Sequence, residues 1–542
     1  MLRPTQLWKN DRLKWSAGRG TDVWNLFQAC IAGDLPAVKK LTTRDPSLVR
    51  AHCSYRTPLY FAVREGKADV VQWLLGQGAD PLNLVVGDSL IEICRDRGYP
   101  DVETILSNHL IHRLNASPRG EPVAAAIRDH DLDRMRQRLD ADPDLLEIGD
   151  GRSNRPLHWA VMTRQIDLLD ELLNRGADIN AKRYDGARPI HLVNGDYHFR
   201  GWRDVPKDWP TTPRQMLDAL RQRGAECDLN TACHVGDIDL VRQLIDRDPA
   251  IINRVSEYSS YYVGSGSPIN NAAARGHLDI VRLLLDRGAD PNLPEEGIAP
   301  DGHALYSAAA NGHHEIAKLL LEHGASPNQA VESSADPLSR ALSNNDQPMV
   351  DLLCSYGAFR SAEILGYDGD VQTAAAMFAA NPALADDSDA LTNAAWNGHE
   401  AFVRLILLYQ PDLPARISWP GWIPGSKTNA INDLLIEHGM SPSQPDWLMI
   451  TPLHQIARNG DVEAARAILD RGADLHARDE DICSTPLGWA AKFGQLEMVR
   501  FLLSRGAEVN LADDPPWARP LAWAERRGQT GIAKLLRQHG AV

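Results

Sequence analysis

Polar capping residues and short apolar stretches alternate along this chain in a regular pattern, which is clearest over residues 451–474. Thr451 has the side-chain oxygen typical of a helix N-cap, and Pro452 follows in the first turn, where its missing N–H costs nothing. The helix is predicted to run through the apolar residues Ile456 and Ala457 to Gly460, a residue that disfavours helix continuation. The pattern therefore predicts one short amphipathic helix before this glycine.

A second short helix is predicted directly after the first. Asp461 is a suitable N-cap for it, and Gly472 is placed to end it in the left-handed conformation. Its apolar positions fall on one face and are Val462, Ala465 and Leu469. Two helices this short bury their apolar faces only by stacking on copies of themselves, so the pattern predicts a repeat array.

Copies of both halves of this unit recur along most of the chain. The start of the first helix recurs as TPLY at 57–60, RPLH at 155–158, RPIH at 188–191, TPLH at 451–454 and TPLG at 485–488. The end of the second helix recurs as GAD, GAS or GAE, and the steps from Thr451 to Thr485 and from Thr485 to Arg519 are both 34 residues. These residues resemble the ankyrin repeat, and the long array resembles the bacterial type.

The resemblance implies a fold as well as a binding surface. We expect an all-α solenoid of roughly 15–16 helix-turn-helix repeats with extended fingers and aromatic insertions. In ankyrin-repeat proteins the first helices and the fingers between repeats line a concave groove, where partners bind, and the second helices form the convex back. The resemblance itself therefore favours a binding protein.

Domain boundaries follow from where the repeat pattern weakens. We predict an N-terminal cap over 1–20, a first sub-array over 21–115, a second over 121–411, an irregular Trp- and Pro-rich stretch with a partial repeat over 412–450, and regular repeats over 451–542.

Composition and charge narrow the class of protein. The net charge is −15, from 72 acidic and 57 basic residues that are dispersed along the chain, which argues against a nucleic-acid partner. No apolar run is long enough to cross a bilayer, and the first residues lack the pattern of a signal peptide, so we expect a cytoplasmic protein. Seven scattered cysteines without a CxxC pair predict reduced thiols, and no motif indicates a metal site or a cofactor. We expect a monomer.

The largest departure from the repeat lies at 195–210, where 15 residues are added between the two helices that follow Arg188. The added segment is unusually aromatic, and its candidate binding residues are Tyr197, Trp202 and Trp209, with His198 as a candidate proton relay. These rings either contact a ligand or seal the edge of a neighbouring repeat, and the sequence does not separate the two interpretations.

The next two fingers, at 253–267 and 292–303, are also longer than the 8-residue finger from Asn180 to Arg188. Candidate binding residues in and after them are Glu257, Tyr258, Tyr261, Tyr262, Asn270, Asn271, Tyr306, Glu332 and Arg340. Candidate acid/base residues are Glu295, Glu296, Asp301 and His303. The alternative is that the carboxylates are solvated finger tips and that Asn270 makes only local hydrogen bonds.

A third irregular stretch, at 409–426, places Trp419 and Trp422 among prolines, and Trp396 stands at a groove-facing position just before it. The loop either faces the first insertion or packs over a damaged repeat. From these features we predict a binding protein that recognises a partner or ligand on its concave face near 188–345. The alternative is a hydrolase or lyase acting on a carbohydrate-like substrate in a pocket formed by the same residues, so enzymatic activity stays open.

Overall fold

The computed structural model describes the whole chain except residues 14–15, 83, 86, 197–209, 257, 259–261, 297, 300, 332–334 and 418–425, and except the side chains of 84 and 426–429. Nearly all regular structure in the described part is helical. The exception is a two-residue antiparallel pair formed by β1 (Leu84–Val85) and β2 (Asp88–Ser89), in which Val85 faces Asp88.

Helices come in consecutive short pairs from one end of the chain to the other. Up to residue 359 they are α1 (Thr5–Trp8), α2 (Gly20–Ala32), α3 (Leu35–Arg44), α4 (Pro58–Arg64), α5 (Ala68–Gly76), α6 (Leu90–Arg97), α7 (Pro100–Leu114), α8 (Glu121–Arg128), α9 (Leu132–Ala141), α10 (Pro156–Met162), α11 (Ile166–Asn174), α12 (Pro213–Gln222), α13 (Leu229–Val235), α14 (Ile238–Arg247), α15 (Pro268–Arg275), α16 (Leu278–Asp286), α17 (Ala304–Ala310), α18 (His314–Glu322), α19 (Pro337–Ser343) and α20 (Gln347–Ser355).

The pairs continue in the C-terminal part. There the helices are α21 (Ala362–Asp368), α22 (Val371–Ala380), α23 (Ser388–Trp396), α24 (Glu400–Tyr409), α25 (Leu413–Arg416), α26 (Ser426–Glu437), α27 (Pro452–Asn459), α28 (Val462–Asp470), α29 (Pro486–Lys492), α30 (Leu496–Ser504), α31 (Pro520–Arg526) and α32 (Thr530–Gln538).

The chain divides into two compact units. One comprises Met1–Asp11, Arg19–Trp24 and Arg360–Val542, and the other comprises Arg12–Gly18 and Asn25–Phe359. We call them the C-terminal and the N-terminal unit. In the C-terminal unit the first residues of the chain pack against a late repeat, since the Leu2 amide donates to the Trp447 carbonyl at 2.8 Å.

The repeat at 451–474 shows why these residues form two helices. As predicted, α27 begins at Pro452, Gly460 ends it with a φ of 77°, and the Asp461 carboxylate accepts from the Ala464 amide at 2.9 Å to cap α28. The cap of α27 differs from the expectation: the Thr451 hydroxyl lies 2.8 Å from His454 Nδ1, which also accepts from the Thr451 amide. Since that nitrogen accepts, the hydroxyl donates to it.

The buried face of α28 also differs in part from the prediction. Ala465 is buried as expected, but Ala464 and Ile468 are buried with it, whereas Val462 and Leu469 are only half-buried. The apolar stripe is therefore rotated relative to the predicted one. The reason is that α28 packs on both its own first helix and the second helix of the next repeat.

Packing between repeats produces the core. Each first helix lies against the next first helix, as in α13, α15, α17 and α19, and the second helices α14, α16, α18 and α20 pack in the same order. Apolar residues from both rows form continuous buried clusters in each unit. Trp159, Trp489 and Trp523, which occupy one repeat position, are all buried. The described chain is an all-α solenoid, as the sequence predicts.

Signature histidines link neighbouring fingers. His158 Nδ1 accepts from the Arg155 amide, while Nε2 lies 3.1 Å from the Ala181 carbonyl of the next finger. His454 makes the equivalent contact with the Ser484 carbonyl at 3.2 Å. Burial lowers the pKa of His158 to about 3 and that of His454 to about 4, so both rings are neutral and bridge two backbones.

Candidate functional site

A concave cavity of about 450 Å³ lies between α13, α15 and α17 of the N-terminal unit. The first helices supply most of its wall, and the long fingers at 253–267 and 292–303 supply the rest. Its lining residues are His234, Tyr262, Ser265, Asn270, Asn271, Ala274, Arg275, Glu295, Ile298, His303, Ser307 and Asn311. We call this space the inner cavity.

Two features of the sequence make room for the inner cavity. Two small side chains line the cavity, Ala274 on α15 and Ser307 on α17, and they leave space between the helices. The long finger before α17 turns back on itself, because the Glu295 amide donates to the Ala299 carbonyl and the Ala299 amide donates in return, both at 2.8 Å. This turn carries Glu295 back against the cavity wall.

Glu295 is the buried charge of the site, with only 2% of its surface exposed. Its Oε1 accepts from the Ser267 amide at 2.7 Å, and its Oε2 lies 3.5 Å from both Asn270 Nδ2 and His303 Nδ1. Burial alone raises the pKa of this carboxyl, but the adjacent His303 ring and the Ser267 amide outweigh burial and hold the pKa below its ordinary value. Glu295 is therefore a fixed carboxylate.

Asn270 links Ser307 to the neighbouring histidine. The Ser307 hydroxyl donates to Asn270 Oδ1 at 2.7 Å, which directs Asn270 Nδ2 towards His303 Nδ1 at 3.0 Å. An amide nitrogen only donates, so Nδ1 is the acceptor when the ring is neutral; when the ring is protonated, Nδ1–H instead faces Glu295 Oε2 at 3.5 Å, and Nε2 carries a proton in both states. His303 Nε2 consequently retains an N–H donor beyond this network.

Another part of the wall is formed by His234, Asn271 and Arg275. His234 Nδ1 lies 3.1 Å from Asn271 Oδ1, and Asn271 Nδ2 donates to the Ser265 and Ser267 carbonyls. Burial, together with nearby Arg275, lowers the pKa of His234 to about 4, so this ring is neutral. Arg275 lies at the exposed rim, and within the described part of the chain no carboxylate is within 4.0 Å of its guanidinium.

The finger at 253–267 is held in place by its two described tyrosines. Tyr258 stacks on His191 at 4.1 Å between ring centroids and donates to the Asp228 carboxylate at 2.8 Å. Tyr262 donates to Asp185 at 3.0 Å and also accepts from Arg183. Both phenols are buried, and burial raises the pKa of each. Tyr258 is thus an anchor of the finger, whereas Tyr262 both anchors it and lines the inner cavity.

Arg183 is the centre of this anchor. Its buried guanidinium donates to Asp185 at 2.8 Å, to Asp196 at 2.9 Å and to Asn154 at 2.8 Å, in addition to Tyr262. Burial raises the pKa of Asp185, but the hydrogen bonds and charge of Arg183 outweigh it and lower that pKa overall. One guanidinium therefore connects three fingers of the N-terminal unit, those of Asn154, Asp185 and Tyr262.

The structure brings together five of the sequence candidates: Tyr262, Asn270, Asn271, Glu295 and His303 line the inner cavity. Asn270 also makes the local hydrogen bonds that the alternative interpretation expected. That interpretation, in which the carboxylates are solvated finger tips, is wrong for Glu295, because the returning turn buries it.

Other candidates lie away from the inner cavity. Glu296 is exposed and lies 3.5 Å from Arg12, and Asp301 is exposed. Tyr306 is half-buried and stacks on His303 at 5.3 Å. Arg340 is half-buried on α19, and Trp396, with 56% of its surface exposed, belongs to the C-terminal unit. Glu295 is the one sequence-predicted carboxylate that the described residues place in the cavity wall.

Several candidates lie outside the described residues. They are Tyr197, His198, Trp202, Trp209, Glu257, Tyr261, Glu332, Trp419 and Trp422. Other cavity residues were not predicted from the sequence: His234, Arg275, Ser307 and Asn311. Arg275 and Asn311 each stand directly before the glycine that ends a first helix, so their shared repeat position was a signal in the sequence.

In the part of the chain that the structure describes, no group of three or more His, Cys, Asp or Glu residues is arranged to hold a metal ion. None of the seven cysteines, all of which lie in the described part of the chain, forms a disulfide bond. Among the described helices, none is both long and apolar enough to cross a membrane.

The fold and its stacked first helices define a helical repeat protein, and comparison with known families identifies the repeat. A family model for three ankyrin repeats matches residues 272–364, 425–513 and 453–542, and a model for a single ankyrin repeat matches 54–85 and 154–184. The chain is therefore an ankyrin-repeat protein.

Curated relatives share segments of this array. The chain is similar to the nuclear factor NF-kappa-B p105 subunit of Gallus gallus, with 30% identity over 151 residues, or 26% of this chain and 15% of the relative. It is also similar to palmitoyltransferase ZDHHC13 of Homo sapiens, with 37% identity over 141 residues, 25% of this chain and 22% of the relative.

A third relative is the B-cell lymphoma 3 protein homolog of Mus musculus, with 28% identity over 165 residues, 29% of this chain and 36% of the relative. Each alignment covers well under half of the relative's own length. The similarity therefore concerns the repeats. These three relatives are eukaryotic, and the bacterial type of array that the sequence suggested stays a prediction.

Proposed function

We propose that this chain is a binding protein that recognises a segment of a partner protein on the inner face of its first helices, between about residues 188 and 345. The observation that carries the proposal is the inner cavity, a concave space lined by polar side chains whose positions are fixed by hydrogen bonds. Preorganised polar groups lose little conformational entropy on binding, so they favour recognition of one partner geometry.

The chemistry of the wall indicates what the partner segment presents. Arg275 supplies a charge at the rim, and His303 Nε2 supplies an N–H donor. Asn311 uses its Nδ2 to donate to the Ser307 carbonyl at 2.8 Å, which leaves its Oδ1 as an acceptor. We propose that a polar side chain of the partner, with an acceptor directed at Arg275 and His303, enters this space.

Selection of peptides from a random library on the full chain tests this proposal. We expect Arg275→Ala combined with Asn311→Ala to lower the affinity for the selected peptides by about tenfold or more, because a lost hydrogen bond to a charged group costs about 1.5–3 kcal/mol of binding free energy. The matched control is Arg282→Ala on the second helix α16, where the arginine is exposed. Equal binding by the inner-face variant and the wild type would refute the proposed surface.

The catalytic alternative has one observation in its favour, which is the 3.5 Å contact between His303 Nδ1 and the buried Glu295 carboxylate in the cavity wall. A carboxylate beside a histidine suits proton transfer to a carbohydrate-like substrate. Turnover of a glycan panel that is lost in His303→Ala and retained in the exposed variant Asp301→Asn would favour this hydrolase or lyase. The cytoplasmic location, the monomeric state and the absence of a nucleic-acid partner stay predictions.

A further inference from the structure

A second concave space adjoins the inner cavity in the N-terminal unit. It has a volume of about 420 Å³ and lies between the first half of α12 and the last turn of α13. His234 and Arg275 line both this space and the inner cavity, so they stand between the two. We call this space the second cavity.

The floor of the second cavity is apolar. Val193, Leu217, Val235 and Val263 line it, and all four are buried members of one core cluster. The Val263 amide donates to the His191 carbonyl at 2.9 Å, which holds the long finger in place and brings Val263 to the cavity. An apolar group that enters this space therefore covers side chains that packing already holds in position.

The rim of the second cavity is positively charged. Arg275 is exposed there, and among the described residues no carboxylate lies within 4.0 Å of its guanidinium. The surrounding protein partly desolvates Arg275 and lowers its pKa, as expected for a cation without a carboxylate beside it. The other arginine of the rim, Arg214, is paired with Asp218 at 3.0 Å, and no Asp or Glu lines this cavity in the described part of the chain. Within the described residues, Arg275 is therefore an unpaired cation beside an apolar space.

Hydrogen bonds fix the backbone around this cation. His277 Nε2 lies 3.2 Å from the His234 carbonyl, which connects the start of α16 to the end of α13. Asn271 Nδ2 donates to the Ser265 carbonyl at 2.9 Å, which connects α15 to the long finger. The helix that carries Arg275 thus keeps its position beside both cavities, so a ligand meets a preformed arrangement.

From this arrangement we infer that the partner segment carries an apolar side chain and an acidic side chain separated by one residue, with the apolar group in the second cavity and the carboxylate on Arg275. The inference rests on the proposed function and names the pair of residues that the inner face selects.

The geometry of an extended segment gives this spacing. Residues i and i+2 of such a segment point to the same side and lie about 6–7 Å apart, which is less than the separation of about 8–10 Å between neighbouring helices. One side chain therefore enters the cavity while the other meets the cation at its rim. Salt screens charges beyond about 8 Å at physiological ionic strength, so Arg275, and not the net charge of −15, acts on the acidic residue.

Phage display of short peptides on the immobilised full chain tests the inference. Three libraries are compared, in which the fixed pair is Leu-x-Glu, Ser-x-Glu or Leu-x-Gln, each in both orders, and all other positions are random. We expect the Leu-x-Glu library to be recovered about tenfold more than either of the others, because one of them lacks the apolar group and the other lacks the charge. Recovery of the Ser-x-Glu or the Leu-x-Gln library at the level of the Leu-x-Glu library would overturn the inference.

Two variants separate the apolar contact from the charged one. Val235→Phe places a larger side chain in the second cavity, so it is expected to remove the preference for Leu over Ser and to keep the preference for Glu over Gln. Arg275→Gln is expected to do the reverse. A variant that failed to fold would lose both preferences, so opposite losses in the two variants exclude unfolding as the cause. The matched control is Val350→Phe, the same change at a half-buried valine of the second helix α20, which is expected to keep both preferences.

The same selections separate this inference from the proposed function. Peptides whose recovery falls with Arg275→Ala and Asn311→Ala, but which show no preference for Leu over Ser, would overturn the inference and leave the proposed function standing. Recovery that neither of these changes affects would refute both.

Discussion

The pH dependence of stability in the C-terminal unit should be set in part by Asp479, a carboxyl with only 2% of its surface exposed. Its Oδ2 accepts from Trp489 Nε1 at 2.9 Å and from the Ser484 amide at 3.1 Å. Burial is the main influence on this group and raises its pKa from 3.8 to about 6. The folded protein therefore binds a proton here more tightly than the unfolded chain does.

The sign and size of the effect follow from this difference. Because the pKa is raised in the folded state, protonation of Asp479 stabilises the fold. This stabilisation is complete below the pKa of the unfolded chain, 3.8, and is lost as the pH rises through the folded pKa of about 6. With a folded pKa of about 6 and an unfolded pKa of 3.8, lowering the pH from about 7.5 to about 5 should add roughly 1.4 kcal/mol to the free energy of unfolding. Asp479→Asn removes this contribution, because its amide does not titrate.

The assay is urea denaturation of wild type and Asp479→Asn at both pH values. The difference in unfolding free energy between the two proteins should change by roughly 1.4 kcal/mol in favour of the wild type at the lower pH. Nearby His454, whose pKa is lowered by burial to about 4, has the opposite dependence but is common to both proteins and cancels. Asp474→Asn, at an exposed position of the same repeat, is the control. A difference that is unchanged between the two pH values would refute the reasoning.

Two further predictions concern the N-terminal unit. Arg183→Met should cost about 3–5 kcal/mol of unfolding free energy in urea denaturation, because it leaves Asp185 and buried Asp196 without their shared cation. Arg175→Met, which removes an exposed pair, should cost no more than about 1 kcal/mol, and equal costs would contradict the role of the anchor. Glu295→Gln should destabilise the protein most at neutral pH and progressively less in acid. Because the pKa of Glu295 is lowered in the folded state, its carboxylate stabilises the fold at a pH above the ordinary pKa of glutamate, and this stabilisation is lost as the pH falls through the folded pKa. Thermal melts over this pH range measure the effect, with the exposed variant Glu296→Gln as the matched control.

Much of the repeat architecture was predictable because its determinants are local. Gly460 and the cap at Asp461 act on residues close to them in sequence, so their roles could be predicted without knowledge of the neighbouring repeats. The apolar stripe of α28 was predicted less well, because which face is buried depends on two neighbouring helices. Ala464 and Ile468 are buried for that reason.

The candidate site was predictable only in part. Long fingers stand out against a regular repeat, and this irregularity pointed to Glu295, His303 and Asn270, which do come together. It did not distinguish Glu295 from Glu296, since adjacent residues differ only in how the finger turns back. Arg275 was not predicted: its repeat position before the glycine was a signal, but which of the residues at that position borders a cavity depends on how α13, α15 and α17 pack.

By itself the sequence determined that this chain is a stack of ankyrin repeats, because caps, helix-breaking glycines and a constant period are encoded within each unit. Tertiary structure alone decided which polar residues meet. Ser307, Asn270, His303 and Glu295 come from two successive repeats, and their hydrogen bonds exist only once α15 and α17 have packed side by side. Contacts between residues far apart in sequence depend on the angle and distance between helices, and the pattern of any one helix does not contain those quantities.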